Sequence, residues 1–406
     1  MNCNTQFFVG IDIGKNFHVA CILTESSGKF IYTPHLTFSS KRSGYDKFSA
    51  YLAGHSVTLE NSILGLEATG HYWYTLVQKL RNDGFTVIVL NPLQVQSYRN
   101  DKIRRIKTDD RDCELIAKVI KIGENITPMK DPDNDLFVLK QLTRFRWDLV
   151  RDLSSLKLQT LSVLETTFPE YKEVFKDVFG KTSIELLLDS PLPTDIAALD
   201  LEKLTRQLSK TSRKYFGGKT AEAIQTKAAD TFGLKLGTDA FSLQIKFLLS
   251  QIKQLQEQID YLEKEIKKLV LKQNTKLLTI PGISYVTCGT ILGETVDFRK
   301  KNEKDYRSLL AFAGLDVAIR QSGMYVGKDK MSKRGNPYLR LALMQASLSA
   351  AHADPGFKKI YEKQKSLGKH YKVALSHVAD KLTAVIHAVL RTGNPYIPIL
   401  KYQKKK

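Results

Sequence analysis

Between Ile245 and Leu269 a single pattern leaves the chain little freedom. Ile245, Ile252, Ile259 and Ile266 occupy one heptad position, and Leu248, Leu255, Leu262 and Leu269 occupy another, with no break in register. A seven-residue apolar repeat gives a helix one narrow seam, which is stable only against a second helix. Isoleucine at a with leucine at d favours two parallel strands, so these eight residues read as an oligomerisation seam. A helical hairpin within one chain is the alternative that buries the same stripe.

Leu136 to Glu165 also carries long helical periodicity, and the Pro-bearing stretch Asp189 to Thr194 interrupts the next helical region. Ahead of Asp135 the period falls to two. Phe7 to Ile13, His18 to Leu23 and Phe30 to Leu36 predict three strands in a meander, followed by a helix over Ser43 to Ala53. Ile63 to Glu67 and Phe85 to Leu90 flank a helical segment from Tyr72 to Arg81, the pattern of a βαβ unit, and Asp109 to Ile122 is a further helix. The expected fold class is α/β plus α: a mixed sheet covered by helices, then long helices, then a mainly helical third unit from Thr275 to about Gly393. That unit is broken only by the Gly- and Lys-rich segment from Gly314 to Asn336. Single cores rarely grow past about 250–300 residues, so a 406-residue chain divides. The expected divisions are 1–130, 131–274, 275–395 and a basic tail at 396–406.

Lys and Arg number 62 against 42 Asp and Glu, a net charge of +20. Such an excess favours a polyanion, since cations that neutralise phosphates release condensed counterions. Cys3, Cys21, Cys113 and Cys288 form no C-x-x-C pair and no Cys/His cluster in the sequence, so neither a zinc site nor a disulfide framework is expected. The N-terminus lacks the pattern of a secretion signal, and no run approaches the roughly 18 apolar residues of a membrane span. A reduced, cytoplasmic, nucleoid-associated protein is the expectation.

Asp12 lies inside the apolar strand Phe8-Val-Gly-Ile-Asp-Ile-Gly-Lys15, and Glu67 ends Ile63-Leu-Gly-Leu-Glu67. A carboxylate among such neighbours costs several kcal/mol to desolvate, so a cation or partner is implied. Asp109 and Asp112, spaced i and i+3, share one face of the helix after Thr108. Together these acids suit hard divalent cations that keep positions open for phosphate oxygens. Taken alone, Asp109 and Asp112 also fit simple complementation of a helix dipole. The Val9-Gly-Ile-Asp-Ile-Gly14 motif occurs in actin-like sugar kinases as well, but the second phosphate turn that fold requires is missing.

Leu278-Thr-Ile-Pro-Gly282-Ile, followed by helical Val286 to Glu294, looks like a helix-hairpin-helix, whose glycine turn offers backbone N–H groups to phosphate. Farther on, Ser322 sits beside Gly323 in a segment rich in cations. Lys328, Lys330, Lys333, Arg334, Asn336 and Arg340 there, with Lys102, Arg104, Arg105 and Lys107 before the acidic helix, are the candidate nucleic-acid contacts. An exposed hydroxyl among cations can attack phosphorus if its proton is taken. A Ser-Gly loop is otherwise a common turn.

In order and spacing, Gly-Ile-Asp12-Ile-Gly-Lys, Leu-Glu67-Ala-Thr-Gly-His-Tyr72, Asn91-Pro92 and Lys107-Thr-Asp109-x-x-Asp112 resemble the DEDD domain of transposases of insertion sequence family 110, which includes Piv-type DNA invertases. Ile280-Pro-Gly-Ile-Ser, Ala311-Phe-Ala-Gly-Leu315, Ser322-Gly323 and Met331-Ser-Lys-Arg-Gly-Asn336 look like the same family's second domain. The resemblance implies a RuvC-like, RNase H-fold domain in which Asp12, Glu67, Asp109 and Asp112 bind Mg²⁺, with Mn²⁺ as a substitute. It also implies that Ser322 is a nucleophile holding the cleaved 5′ end as phosphoserine. Further implied are donor and target DNA as substrates, a structured bridge RNA as guide, and homo-oligomers in which dimers assemble to tetramers. Cys113 departs from the alanine common at its position, and Asp110 adds a carboxylate that blurs the ligand set. No chemistry is assigned to 168–239. The competing readings are a RuvC-like nuclease or junction resolvase that uses water, and a non-catalytic nucleic-acid-binding scaffold.

Overall fold

The computed structural model describes residues 6–68, 70–90, 95, 98, 109–123, 134–296, 305–318, 321–322, 325–326 and 330–398. They form two compact units, Met1–Asp131 and Pro132–Lys406.

The first unit is built on a six-stranded sheet. β1 (Phe7–Ile13), β2 (Phe17–Ser26), β3 (Lys29–Tyr32) and β4 (Leu36–Ser39) are antiparallel, with both β3 and β4 paired to β2. The expected third strand is thus two strands, broken around Pro34, which has no N–H to give a ladder. After α1 (Arg42–Gly54), β5 (Ser62–Glu67) joins β1 in parallel; after α2 (Trp73–Asn82), β6 (Val87–Leu90) joins β5 in parallel. Side chains alternate across the sheet. Val9, Ile11 and Ile13 meet Phe48, Leu52, Leu76 and Leu80 on the face covered by α1 and α2. Phe8, Val19, Cys21 and Leu23 face α3 (Asp109–Ile122), where they meet Cys113, Ile116, Ala117 and Ile120.

The second unit is a long helical hairpin with helices at both ends. α4 (Asn134–Thr167) is followed by α5 (Tyr171–Val174), α6 (Lys181–Asp189), α7 (Pro193–Ala197), α8 (Leu201–Thr211) and α9 (Gly218–Ala229), and then by α10 (Thr238–Lys272). Arg146 Nε donates to Glu263 Oε1 at 2.8 Å, and Leu234 N donates to the Thr166 carbonyl at 2.9 Å, so α10 returns antiparallel to α4. Here the seam reading is corrected. Ile245, Ile252, Ile259, Leu262 and Ile266 are buried within the chain, and Leu248, Leu255 and Leu269 are partly buried. The heptad stripe is spent on α4 of the same chain rather than left for a second subunit.

The far end of the hairpin shares a core with α5 to α9, through Tyr171, Phe175, Leu187, Leu204 and Ile224. Its near end shares another with the C-terminal helices, where Leu139, Ile266 and Val270 meet Leu277, Ile291, Leu343 and Leu382. The expected division at 274 therefore cuts through one core. The C-terminal helices are α11 (Tyr285–Glu294), α12 (Tyr306–Phe312), α13 (Pro337–Ala353), α14 (Pro355–Ser366) and α15 (Tyr371–Thr392). One helix, α15, is long and apolar enough to cross a membrane by length and composition alone. It is a core helix, burying Leu375, Val378, Leu382 and Ile386.

Candidate active site

Asp12 and Glu67 stand at the carboxyl ends of neighbouring strands. The parallel register Ile11↔Leu66 puts Asp12 and Glu67 at the next step of the same ladder. Asp12 also pairs with Val19, whose side chain lies under α3, so Asp12 points to the α3 face. A Cβ on Gly10 would lie 2.0 Å from the Cys113 carbonyl oxygen, and one on Gly65 would lie 2.5 Å from Ile120. These two glycines let α3 lie almost on the strands. Lys121, near the helix C-terminus, sits over the Phe8 ring at 5.1 Å. The N-terminus of α3 therefore lies at the carboxyl ends of β1 and β5, beside Asp12 and Glu67. Asp112 is 7% exposed, and Asp12 and Glu67 are half-buried. Asp109 opens the helix. Asp110, the extra carboxylate, has a 60% exposed side chain 4.0 Å from His35 Nδ1.

Beside the carboxyl ends of the strands, a cavity of about 420 Å³ is lined by Lys15, His18, Arg42, Tyr45, His71 and Lys79 among others. The sequence reading missed this cationic lining, whose residues are scattered between positions 15 and 79. Lys102, Arg104, Arg105, Lys107 and Lys328 lie outside the described residues, as do Asn91 and Pro92.

In the second unit the serine stands on a small β arm. β7 (Val317–Ala318) pairs with β10 (Lys330–Met331), and between them β8 (Gln321–Ser322) pairs with β9 (Tyr325–Val326), Ser322 opposite Tyr325. The base of the arm is stapled. Ser332 N donates to the Asp316 carbonyl at 2.9 Å, Lys333 N to Gly314 at 3.1 Å and Asn336 N to Phe312 at 2.7 Å. Gly314 has φ of 66°, and a Cβ on Gly335 would lie 2.5 Å from Gly314 N, so both glycines serve a backbone crossing.

Two expected nucleic-acid contacts are engaged inside the fold. Asn336 caps α13, accepting from Tyr338 N at 3.0 Å and Leu339 N at 3.1 Å, while its amide donates to Glu294 Oε2 at 2.6 Å. Arg340 Nη1 donates to the Ala313 carbonyl at 3.0 Å, holding the base of the arm. Gly282, at φ of 89°, has α13 against it: a Cβ would lie 2.5 Å from Ala350 N. Its visible role is this close approach. Lys330, Lys333 and Arg334 remain exposed beside the arm.

Glu294 was not singled out from the sequence. It is 2% exposed, receives Arg144 Nε at 2.6 Å and Nη2 at 2.8 Å, and so ties α4, α11 and the N-terminus of α13 together. The Arg144 guanidinium also lies 4.5 Å from the centre of the Tyr338 ring. The available signal was the one used for Glu67, a carboxylate at the end of an apolar run.

The chain thus joins a mixed α/β sheet unit to a mainly helical one. Residues 9–169 match the family model of the IS110 DEDD transposase domain, and residues 274–362 match the model described as transposase IS116/IS110/IS902 family. The chain belongs to the IS110/IS116 transposase family. It is 23% identical over 397 residues to the pilin gene-inverting protein of Moraxella lacunata, covering 97% of this chain and 98% of that protein. It is 22% identical over 400 residues to an uncharacterized 43.6 kDa protein of insertion element IS110 from Streptomyces coelicolor, covering 96% and 95%. An uncharacterized 44.8 kDa protein of IS116 from Streptomyces clavuligerus is 23% identical, with 97% and 96% covered.

Proposed function

We propose that this chain cuts and rejoins donor and target DNA through a phosphoserine, using Ser322 as nucleophile and Asp12, Glu67, Asp109 and Asp112 as the acidic centre. The observation that carries this reading is the meeting of β1, β5 and the N-terminus of α3, which gathers acids distant in sequence at one end of a sheet. A RuvC-like RNase H fold is the reading of the first unit, supported by an antiparallel meander continued by parallel β5 and β6. The donors are all carboxylate oxygens, the set that hard Mg²⁺ or Mn²⁺ takes. Bound there, the ion would offset negative charge on the scissile phosphate.

Ser322 Oγ attacks phosphorus. The new P–O bond to serine forms as the bond to the 3′ oxygen breaks; the serine proton leaves, and a proton is delivered to the departing 3′ oxygen. Each cleaved phosphodiester is conserved as a phosphoserine ester, so rejoining to a new 3′ end needs no outside energy source. Exposed Lys330, Lys333 and Arg334 beside the arm, and the cationic cavity of the first unit, supply charge for the DNA backbone. Sequence choice is assigned to base pairing with a structured RNA encoded by the element, in an assembly of several copies.

Ser322→Ala should abolish covalent protein–DNA adducts while leaving DNA binding in place, read by denaturing gels on labelled DNA. Free 5′-phosphate ends with no adduct in the wild type would instead establish a water-using nuclease. RNA that co-purifies with the full chain, once sequenced, should contain segments complementary to the recombining DNA; its absence would remove the guide.

A further inference from the structure

The fold assembles a Cys/His cluster that the linear sequence conceals. Cys21 on β2 pairs with Gly10 on β1, and the missing Cβ of Gly10 lets the backbone of α3 descend at Cys113. The descent brings the Cys21 and Cys113 sulfurs within 4.8 Å of each other, both fully buried, with the Cys113 thiol donating to the Asp110 carbonyl at 3.1 Å. His35, from the turn between β3 and β4, closes the third side: one ligand atom from each of Cys21, His35 and Cys113 lies within 4.8 Å of the other two. The ring also has carboxylate company, with Nε2 3.1 Å from Glu114 Oε1 and Nδ1 4.0 Å from Asp110 Oδ1. Metal-binding histidines commonly pass their second ring N–H to a carboxylate, which fixes the ring and raises its basicity.

We propose that Cys21, Cys113 and His35 bind one zinc-class divalent cation, distinct from the hard cation assigned to the acids, and thereby fasten α3 to β2. Two sulfurs and an imidazole nitrogen select zinc over magnesium, and three such ligands leave a fourth tetrahedral position for water or Glu114. On binding, both thiols lose their protons to solvent as two metal–sulfur bonds and one metal–nitrogen bond form. The same helix carries Asp109 and Asp112, so the soft cation would hold the frame on which they stand. Binding itself does not depend on the recombinase reading; only that consequence does.

The test uses the full-length chain, reduced and stripped of metal, with excess Mg²⁺ present to occupy the acids, titrated with Co²⁺ as a spectroscopic stand-in. The expected result is a thiolate-to-cobalt absorption band that saturates at one equivalent and is erased by added Zn²⁺. Cys113→Ala should remove that saturation. His35→Gln, a change at the surface that leaves the core intact, should weaken binding at least about tenfold. A wild type with no thiolate band, or both variants binding as the wild type does, would overturn the proposal.

Discussion

His18 sits on β2 at 2% exposure, edge-on to Phe38 at 5.3 Å, with no hydrogen-bond partner for its Nδ1 among the described residues. Burial lowers its pKa below 6.5. A base held neutral in the folded state is protonated more readily when unfolded, so the folded state loses stability as pH falls below 6.5, by up to about 1.4 kcal/mol per pH unit until the ring itself titrates. Denaturant midpoints compared between pH 7.5 and 5.5 should drop for the wild type and drop less for His18→Leu; equal drops would exclude His18 as the source. Glu294 poses the opposite case, a buried charge that is fully partnered. Removing one member of such a pair strands the other, at about 3 kcal/mol or more. Glu294→Ala is therefore expected to lower stability by that order in urea unfolding, and a loss under about 0.5 kcal/mol would show that Arg144 and Asn336 find other partners.

At the scale of elements, α10 is where pattern and structure part company. A heptad records that a helix has one apolar seam, and says nothing of which helix fills it. Because α4 fills it here, Ile252→Ala and Ile259→Ala should each cost about 2–5 kcal/mol by an amount independent of protein concentration; unfolding midpoints that rise with concentration would restore the seam between subunits. Other elements were plainly legible. α3 runs over Asp109–Ile122 as its periodicity required, and Asp12 betrayed itself as a charge in an apolar strand. What stayed hidden is whatever depends on contacts between distant segments. Glu294 needed Arg144, 150 residues away, to make sense. Cys113 needed Cys21 across a helix–strand contact, and the capping role of Asn336 needed α13.

Across the whole molecule, the acids and the serine stand on separate compact units, 1–131 and 132–406. The chain carries a net charge of +20, so each copy recruited to DNA adds cationic surface, and binding should weaken steeply with salt. Chemistry that needs both units is complete only where one copy's serine reaches a set of acids, its own or another copy's. If one copy's serine works with another copy's acids, two defective proteins can repair each other. Asp12→Asn supplies an intact serine, and Ser322→Ala supplies intact acids. Neither alone should form covalent adducts, and mixing the two before assembly on DNA should restore them, carried only by the Asp12→Asn chains. Distinguishing the two by a size tag makes the readout unambiguous, since the adduct must migrate with the serine-bearing protein. A mixture as inactive as its components would place acids and serine in the same copy.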